Sequence, residues 1–190
     1  FCTHDSCMAH ALNDEDCDFN ASFYRNLDGW HKLSKHIKIY SYTACMDELF
    51  MYFNDFNAIS GNMKLFRELD VDYISFEGNK NKEGPFDALR LYLISKLADD
   101  PTLDFDTLVR SFMEHYYKDA SSQAYAFYRN LRDNFIVTAN ENNQNICIGL
   151  YTYNPYMAIY KNHSSYWPYE FLNHSMSLFD SGFSAITEGD

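Results

Sequence analysis

Two short segments of this 190-residue chain alternate between apolar and polar side chains with a period of two. They are residues 37–43 (IKIYSYT) and 71–77 (VDYISFE), and both are rich in β-branched and aromatic residues. This pattern is typical of β-strands, because successive side chains of a strand point to opposite faces. A stretch with apolar residues three and four positions apart, typical of a helix, precedes each of them. The sequence therefore predicts an α/β fold.

The strand signals end near residue 100, and only helix-like periodicity follows. Asp104 or Asp106 is suited to cap the next helix, since a short carboxylate can accept a hydrogen bond from a free backbone N–H. The predicted helices cover about residues 20–36, 63–69, 85–97, 104–117, 121–136 and 168–181. We therefore divide the chain into an α/β part, residues 1–100, and a helical extension, residues 101–190.

The charge of the chain restricts its partners. Asp and Glu number 27 against 15 Lys and Arg, for a formal net charge of -12. Binding to a nucleic-acid backbone requires clustered cations, so we expect no nucleic-acid partner. No apolar run approaches the roughly 18 residues of a membrane helix, so we expect no membrane span. Sixteen Tyr and sixteen Phe residues suit a carbohydrate partner, because a sugar ring can pack its C–H face on an aromatic ring.

Three of the five cysteines lie within the first seventeen residues. Cys2, His4, Cys7 and Cys17 could close a tetrahedral zinc site with three thiolates and one imidazole. Two other interpretations of the same cysteines stay open, namely a disulfide in an exported protein and free thiols in a cytoplasmic one. Cys147, like Cys45, has apolar neighbours and is predicted to be a buried residue outside any site.

Glu77 is the last residue of the second predicted strand and shares a face with Tyr73 and Ser75. In a (β/α) barrel the chemistry takes place at the C-terminal ends of the strands. A carboxylate there could protonate a glycosidic oxygen or activate water. We therefore predict Glu77 as a catalytic residue, and the alternative is a strand-end cap or an ion-pair partner.

Three further residues are candidates for substrate binding, because they lie at or just after the end of the first predicted strand. Tyr42 could stack on a sugar ring, and Asp47 or Glu48 could supply the second carboxylate that glycoside hydrolysis ordinarily needs. The alternative for Asp47 and Glu48 is the solvated start of a helix.

Several motifs in the first 131 residues resemble one protein family. They are Cys2-Thr-His-Asp-Ser-Cys7, Cys17-Asp-Phe-Asn20, Leu27-Asp-Gly-Trp30, Ile39-Tyr-Ser-Tyr42, and the segments 71–78, 89–97 and 112–117. The chain resembles the bacterial family catalogued as domain of unknown function 4838, of the glycoside-hydrolase barrel superfamily and similar to α-glucuronidases. His4 stands where the family motif has a cysteine, an exchange that a metal site tolerates and a disulfide does not.

The resemblance implies a fold and a function. The fold is the C-terminal portion of a (β/α)8 TIM-type barrel followed by an α-helical extension, with the earlier strands supplied ahead of Phe1 or by another chain. The function is to act on or bind a polysaccharide, including ones with uronic acid units, in a secreted or cell-surface protein; a cytoplasmic one stays open. Two strands cannot close a barrel, so we expect this chain alone to be inactive.

Two alternatives from other functional classes stay open. One is a non-catalytic carbohydrate-binding module, which would show an exposed aromatic platform without a carboxylate pair. The other is a helical interaction module with a structural zinc, which would show a metal site and no cleft.

Overall fold

A computed structural model describes residues 1–46, 52–78, 84–141, 147–150 and 167–186, with side chains for all of these except 135–141. Short 3-10 turns lie at Thr3–Asp5 and Lys118–Ala120. The strands and α-helices of the described ranges are α1 Asp18–Leu33, β1 Lys38–Tyr42, α2 Phe56–Glu68, β2 Tyr73–Glu77, α3 Asp87–Asp99, α4 Phe105–Tyr117, α5 Ser121–Glu141 and α6 Tyr169–Ala185.

The two strands form a parallel sheet in which α2 makes the crossover connection. Their register pairs Lys38 with Tyr73 at one end and Tyr42 with Glu77 at the other. Parallel strands require such a connection, because the chain must return to the end of the sheet where the first strand began before the next strand can start. The C-terminal ends of both strands therefore lie at the same end of the sheet.

The first two residues of the chain extend this parallel arrangement. The Tyr40 backbone N–H donates to the carbonyl of Phe1 at 2.7 Å, and Cys2 forms a parallel bridge with Tyr40. These contacts use the edge of β1 that faces away from β2, because alternate residues of a strand direct their hydrogen bonds to opposite edges. Phe1 and Cys2, β1 and β2 thus lie side by side in chain order.

The chain divides into two compact units. Unit 1 comprises Phe1–Thr102 and Ile146–Ala158, and unit 2 comprises Leu103–Asn145 and Ile159–Asp190. The core of unit 1 contains apolar side chains from one face of β1 and from the helices α1, α2 and α3. Its fully buried members include Leu27, Ile39, Phe56, Leu65, Phe66, Leu89, Leu93 and Leu97.

The described residues of unit 2 are mainly helical, and α5 packs against both α4 and α6. Val109, Met113 and Tyr128 are buried in its core. The carboxylate of Asp104 accepts a hydrogen bond from the N–H of Thr107 at 2.8 Å, so Asp104, and not the alternative Asp106, is the capping residue of α4. Among the described residues, every helix is too short or too polar to cross a bilayer.

The α/β class predicted from the sequence is confirmed, and the described residues are mostly helical. The described residues do not form a closed barrel, because their sheet has two strands and a TIM-type barrel needs eight. The predicted second helix also began too late, because α2 starts at Phe56. Its first turns carry Asn57 and Ser60, polar residues that weaken the helical signal in sequence.

Candidate functional site

One face of the sheet carries the sequence-predicted residue Glu77. Tyr40, Tyr42 and Glu77 lie together on this face, which we call the tyrosine face. The Tyr40 hydroxyl donates a 2.7 Å hydrogen bond to the Glu77 carboxylate, and the rings of Tyr40 and Tyr42 meet edge to face with centroids 5.4 Å apart. Ile39 and Ser41 are buried on the opposite face of β1, whereas Tyr40 is exposed. Alternation along β1 therefore keeps the tyrosine face open.

The phenols of the tyrosine face are more weakly acidic than usual. The hydrogen bond to Glu77 raises the pKa of Tyr40, because ionising the phenol would break it and place two negative charges together. The contact with the Cys2 thiol, 3.6 Å from the Tyr42 hydroxyl, raises the pKa of Tyr42 to about 12. Both tyrosines are therefore neutral near pH 7 and can donate hydrogen bonds.

A groove opens near the C-terminal ends of the strands, on the opposite side from the tyrosine face. Its lining includes Thr43, Phe76, Gly78, Arg90, Leu91 and Ile94. Phe76 alternates with Glu77 along β2, so the groove is reached from the Phe76 side. The predicted carboxylate is half-buried on the tyrosine face and does not line this groove. Asp47 and Glu48, the other predicted acidic residues, lie outside the described residues.

A buried ion-pair network connects the start of α3 to the residues before α2. Arg90 donates to the carboxylate of Asp55 at 2.7 Å, to Asp87, and to the carbonyl of Phe53 at 2.7 Å. Its guanidinium also lies 4.8 Å from the centre of the Phe56 ring. Burial raises the pKa of Asp55 to about 6 against the opposing pull of Arg90, so this carboxyl is ionised at neutral pH. None of these residues was among the predicted site residues, because the network joins segments more than thirty positions apart.

A second group of chemically active side chains lies inside unit 1. Cys7, His10, Cys17 and Cys147, which we call the thiol–imidazole cluster, present ligand atoms that all lie within 4.8 Å of one another. The Sγ atoms of Cys17 and Cys147 are 3.8 Å apart, and the Sγ of Cys7 is 3.3 Å from the Nδ1 of His10. The three cysteines are each 1% exposed. These four residues lie close enough to bind a metal ion.

Hydrogen bonding within the cluster shifts two pKa values. The contact with the Cys7 thiol raises the pKa of His10 to about 9, although partial burial of the ring opposes this. The pKa of the Cys17 thiol is also raised, first by its hydrogen bond with Cys7 and then by burial. Without an ion, the cluster therefore holds protons that a metal ion would displace.

Asn20 organises the loop that carries the first two members of the cluster. It is fully buried in the first turn of α1, where its side-chain oxygen accepts from the Cys7 N–H at 2.7 Å. Its amide group donates to the carbonyls of Cys7 and Ala11, each at 3.1 Å. One side chain thus fixes the backbone of residues 7–11 from inside.

The loop also packs against α2 at a point where only glycine fits. A Cβ added at Gly61 would lie 2.6 Å from the Cβ of Ala11, closer than real carbon atoms approach. The neighbouring Asn62 accepts a hydrogen bond from the Leu12 N–H at 2.8 Å. Contacts from α1 and α2 together therefore position the loop before any ion binds.

Cys147 reaches the cluster from a distant part of the chain, 130 positions after Cys17. Residues 147–150, which we call the returning segment, are all buried. The carbonyl of Ile148 accepts a 2.8 Å hydrogen bond from the Met8 N–H, and the carbonyl of Leu150 accepts one of the same length from the Met46 N–H. The returning segment therefore joins the loop of residues 7–12, which we call the cluster loop, to the residues that follow β1.

The cluster differs in two of four members from the metal-ligand set predicted by sequence. Cys7 and Cys17 belong to both sets. Cys2 instead lies beside Tyr42 on the exposed sheet, and the His4 ring pairs with Asp5 at 2.8 Å. The extended backbone at Cys2 turns at Thr3–Asp5, which separates the first two predicted ligands from the buried loop.

His10 and Cys147 take the places of Cys2 and His4 in the observed group. The spacing Cys7-x2-His10 is a ligand spacing that sequence could have used. Cys147 is buried as predicted, but the prediction that it lies outside any site is wrong, because it lies beside the other thiols of the cluster. Nothing in the local sequence indicated that position.

Comparison with known proteins assigns the family. Residues 1–130 match the family described as Domain of unknown function (DUF4838). The chain belongs to this family. The match covers unit 1 through Thr102 and the helical residues up to 130, and the DUF4838 region thus includes the tyrosine face and three members of the cluster. No curated protein and no solved structure matches the chain.

Proposed function

We propose that the DUF4838 region of this chain is part of a carbohydrate-processing protein of the glycoside-hydrolase barrel type, and that the tyrosine face contributes to its sugar site. The observation that carries the proposal is the position of Glu77 beside two tyrosines at the shared C-terminal edge of parallel strands. Barrel enzymes place their chemistry at that edge.

The order of the parallel segments supports the barrel part of the proposal. Phe1 and Cys2, β1 and β2 are neighbours in chain order, and α1 and α2 are the connections between them. Successive strands of a (β/α) barrel are neighbours in the same way, with a helix after each. The remaining strands would come from residues outside this sequence or from another chain, and the tyrosine face would then line the barrel interior.

The chemistry of the face suits a sugar. Tyr42 is half-buried and offers a ring and a neutral hydroxyl, and Tyr40 holds the Glu77 carboxylate in one orientation. A ring and a fixed acceptor are the two features that carbohydrate sites combine, because sugars present apolar C–H faces and hydroxyl donors. Hydrolysis would require a second carboxylate, for which Asp47 and Glu48 remain the candidates.

Sugar binding tests this proposal. The full-length parent protein and the 190-residue chain are applied to a glycan array with neutral and uronic-acid-containing polysaccharides, as wild type and as Glu77→Gln. We expect a signal from the full-length wild type that Glu77→Gln reduces at least tenfold. Glu68→Gln is the matched control, because Glu68 is exposed at the end of α2. A full-length protein that binds no sugar, or that loses binding equally in both variants, contradicts the proposal.

A second candidate function is a non-catalytic module held together by a structural zinc. The thiol–imidazole cluster favours it, because buried thiols and an imidazole are the donors that zinc prefers. Product release from the polysaccharide that binds distinguishes the two functions. Hydrolysis by the full-length wild type that Glu77→Gln abolishes supports the enzyme, whereas binding without hydrolysis supports the module.

A further inference from the structure

We propose that Cys7, His10, Cys17 and Cys147 form a tetrahedral zinc site that fastens the returning segment to the loop before α1. This inference deepens the metal part of the proposed function by naming the ligands and the segments that they join. It does not depend on sugar binding.

Geometry supports a single ion in the centre of the cluster. Zinc bonds of about 2.3 Å to sulfur and about 2.0 Å to nitrogen place the sulfur atoms of a tetrahedron roughly 3.8 Å apart, and sulfur and nitrogen roughly 3.5 Å apart. The Sγ atoms of Cys17 and Cys147 are 3.8 Å apart, and Cys7 Sγ is 3.3 Å from His10 Nδ1. The remaining pairs lie within 4.8 Å, so small rotations of side chains complete the tetrahedron.

The donor set selects the metal. Three thiolates and one imidazole form a closed four-ligand site, typical of structural zinc rather than of a catalytic site with an open position. Harder ions such as magnesium and calcium prefer oxygen ligands, which are not part of this cluster. Metal binding releases the thiol protons and leaves a net charge of −1 on the site, far smaller than three unneutralised thiolates would carry in a buried position.

A disulfide is the main competing state of these cysteines. A sulfur–sulfur bond is about 2.05 Å long, whereas the Sγ atoms of Cys17 and Cys147 are 3.8 Å apart. No disulfide joins any of the five cysteines, all of which are among the described residues. A disulfide between Cys17 and Cys147 would also remove two ligands and leave Cys7 and His10 as an incomplete pair. The four-residue arrangement is therefore better explained by an ion than by one bond.

The surroundings of the cluster indicate its role. Asn20 and Gly61 already position the loop of residues 7–12 within unit 1. The returning segment instead is attached in the described residues through a few backbone hydrogen bonds and buried apolar side chains. Binding of Cys147 to the ion would add a strong link between residues 130 positions apart. This link would offset the entropic cost of closing so long a loop.

The metal content of the full chain tests the site. The protein is purified under reducing conditions without chelators, and zinc is measured by elemental mass spectrometry. We expect about one zinc ion per wild-type chain. Cys147→Ser should lower the content at least fivefold, whereas Cys147→His should retain it, because zinc accepts either ligand type. Cobalt substitution of the wild type should give the visible absorption bands of tetrahedral cobalt–thiolate coordination.

Two control variants separate this site from the set predicted by sequence. Cys45→Ser removes a buried cysteine outside the cluster, and Cys2→Ser removes an exposed one that the sequence predicted as a ligand. Both should keep the zinc. Wild-type protein without near-stoichiometric zinc overturns the proposal, and so does zinc that persists in Cys147→Ser or is lost in Cys2→Ser. The wild-type measurement requires no variant to fold.

Hydrogen exchange tests the fastening of the returning segment. The backbone N–H groups of Met8 and Met46 donate to carbonyls of this segment, so removal of zinc should accelerate their exchange at least tenfold. The N–H of Thr43 donates to the Glu77 carbonyl in the sheet and is the internal control. Unchanged exchange at Met8 and Met46 after zinc removal overturns the fastening role. Failure of either measurement leaves the tyrosine face, which is tested by sugar binding, unaffected.

Discussion

Unit 1 uses its cysteines and polar groups in two different ways. On the tyrosine face, Cys2 lies near the hydroxyl of Tyr42 on an exposed sheet surface. In the thiol–imidazole cluster, three cysteines are 1% exposed and their neighbours are fixed by Asn20. The side chains of the cluster are buried and contact protein, or an ion, instead of water, so removing one of them should lower stability. Groups on the face keep their contact with water, so their loss should cost ligand binding and little stability.

Zinc removal should produce the largest effect on stability. A chelator added to the zinc-bound chain is expected to lower the melting temperature of unit 1 more than any single substitution below, because an ion that binds only the folded site adds its binding free energy to the stability of the fold. Differential scanning calorimetry of the full chain, with zinc added back as the control, measures the shift. An unchanged melting temperature would remove the contrast between the cluster and the face.

Arg90→Met should have the next largest effect. Arg90 is 3% exposed and pairs with two carboxylates, so its loss leaves Asp55 buried with an uncompensated charge. We expect a loss of about 3 to 5 kcal/mol in the free energy of unfolding, measured with urea. Lys32→Met is the matched control, because Lys32 pairs with Asp28 on an exposed helix surface and should matter little. Equal losses in the two variants would contradict burial as the deciding factor.

Two substitutions of glycine by alanine in helices sharpen the contrast. Gly61→Ala drives a Cβ to within 2.6 Å of Ala11 in the cluster loop, and we expect a loss of about 1 to 3 kcal/mol. Gly29→Ala, in α1, meets nothing within 4 Å and should stabilise the chain by about 0.5 to 1 kcal/mol, because alanine favours the helix. Urea unfolding of both variants checks the opposite signs. A stabilising Gly61→Ala would contradict the close packing of the loop on α2.

Tyr40→Phe tests the exposed side of the comparison. The variant removes the hydrogen bond to Glu77 and retains the ring. Because Tyr40 is exposed, we expect a change below about 0.5 kcal/mol in the free energy of unfolding. Sugar binding by the full-length protein should fall several-fold, since Glu77 loses the group that orients it. Tyr73→Phe is the control, and a large loss of stability in Tyr40→Phe would show that the face has a structural role.

The smallest expected effect concerns the cap of α4. Hydrogen bonds from the side chain and the backbone N–H of Thr107 lower the pKa of Asp104, so the ionised cap stabilises the fold above the ordinary pKa of aspartate. That contribution should disappear as the pH falls through the lowered folded-state value. Asp104→Asn keeps a neutral cap, and its melting temperature should therefore depend less on pH below 4 than that of wild type. Identical pH profiles would contradict the pKa shift.

The sequence by itself determined the local elements of the fold. Period-two alternation identified both strands, and it also assigned Tyr40, Tyr42 and Glu77 to faces of those strands, because side-chain direction in a strand depends only on position. The cap of α4 could be narrowed to Asp104 or Asp106 for a similar reason, since a capping hydrogen bond reaches only two or three residues along the chain.

Tertiary structure alone decided which distant residues meet. The register of the parallel strands placed Glu77 beside Tyr42, 35 positions away by residue number, and the returning segment brought Cys147 to Cys7 and Cys17. Contacts of this kind depend on how the chain closes long loops and fills the core, and no local periodicity encodes that outcome. For this reason the sequence identified two of the four clustered ligands, and only the folded chain brought His10 and Cys147 to them.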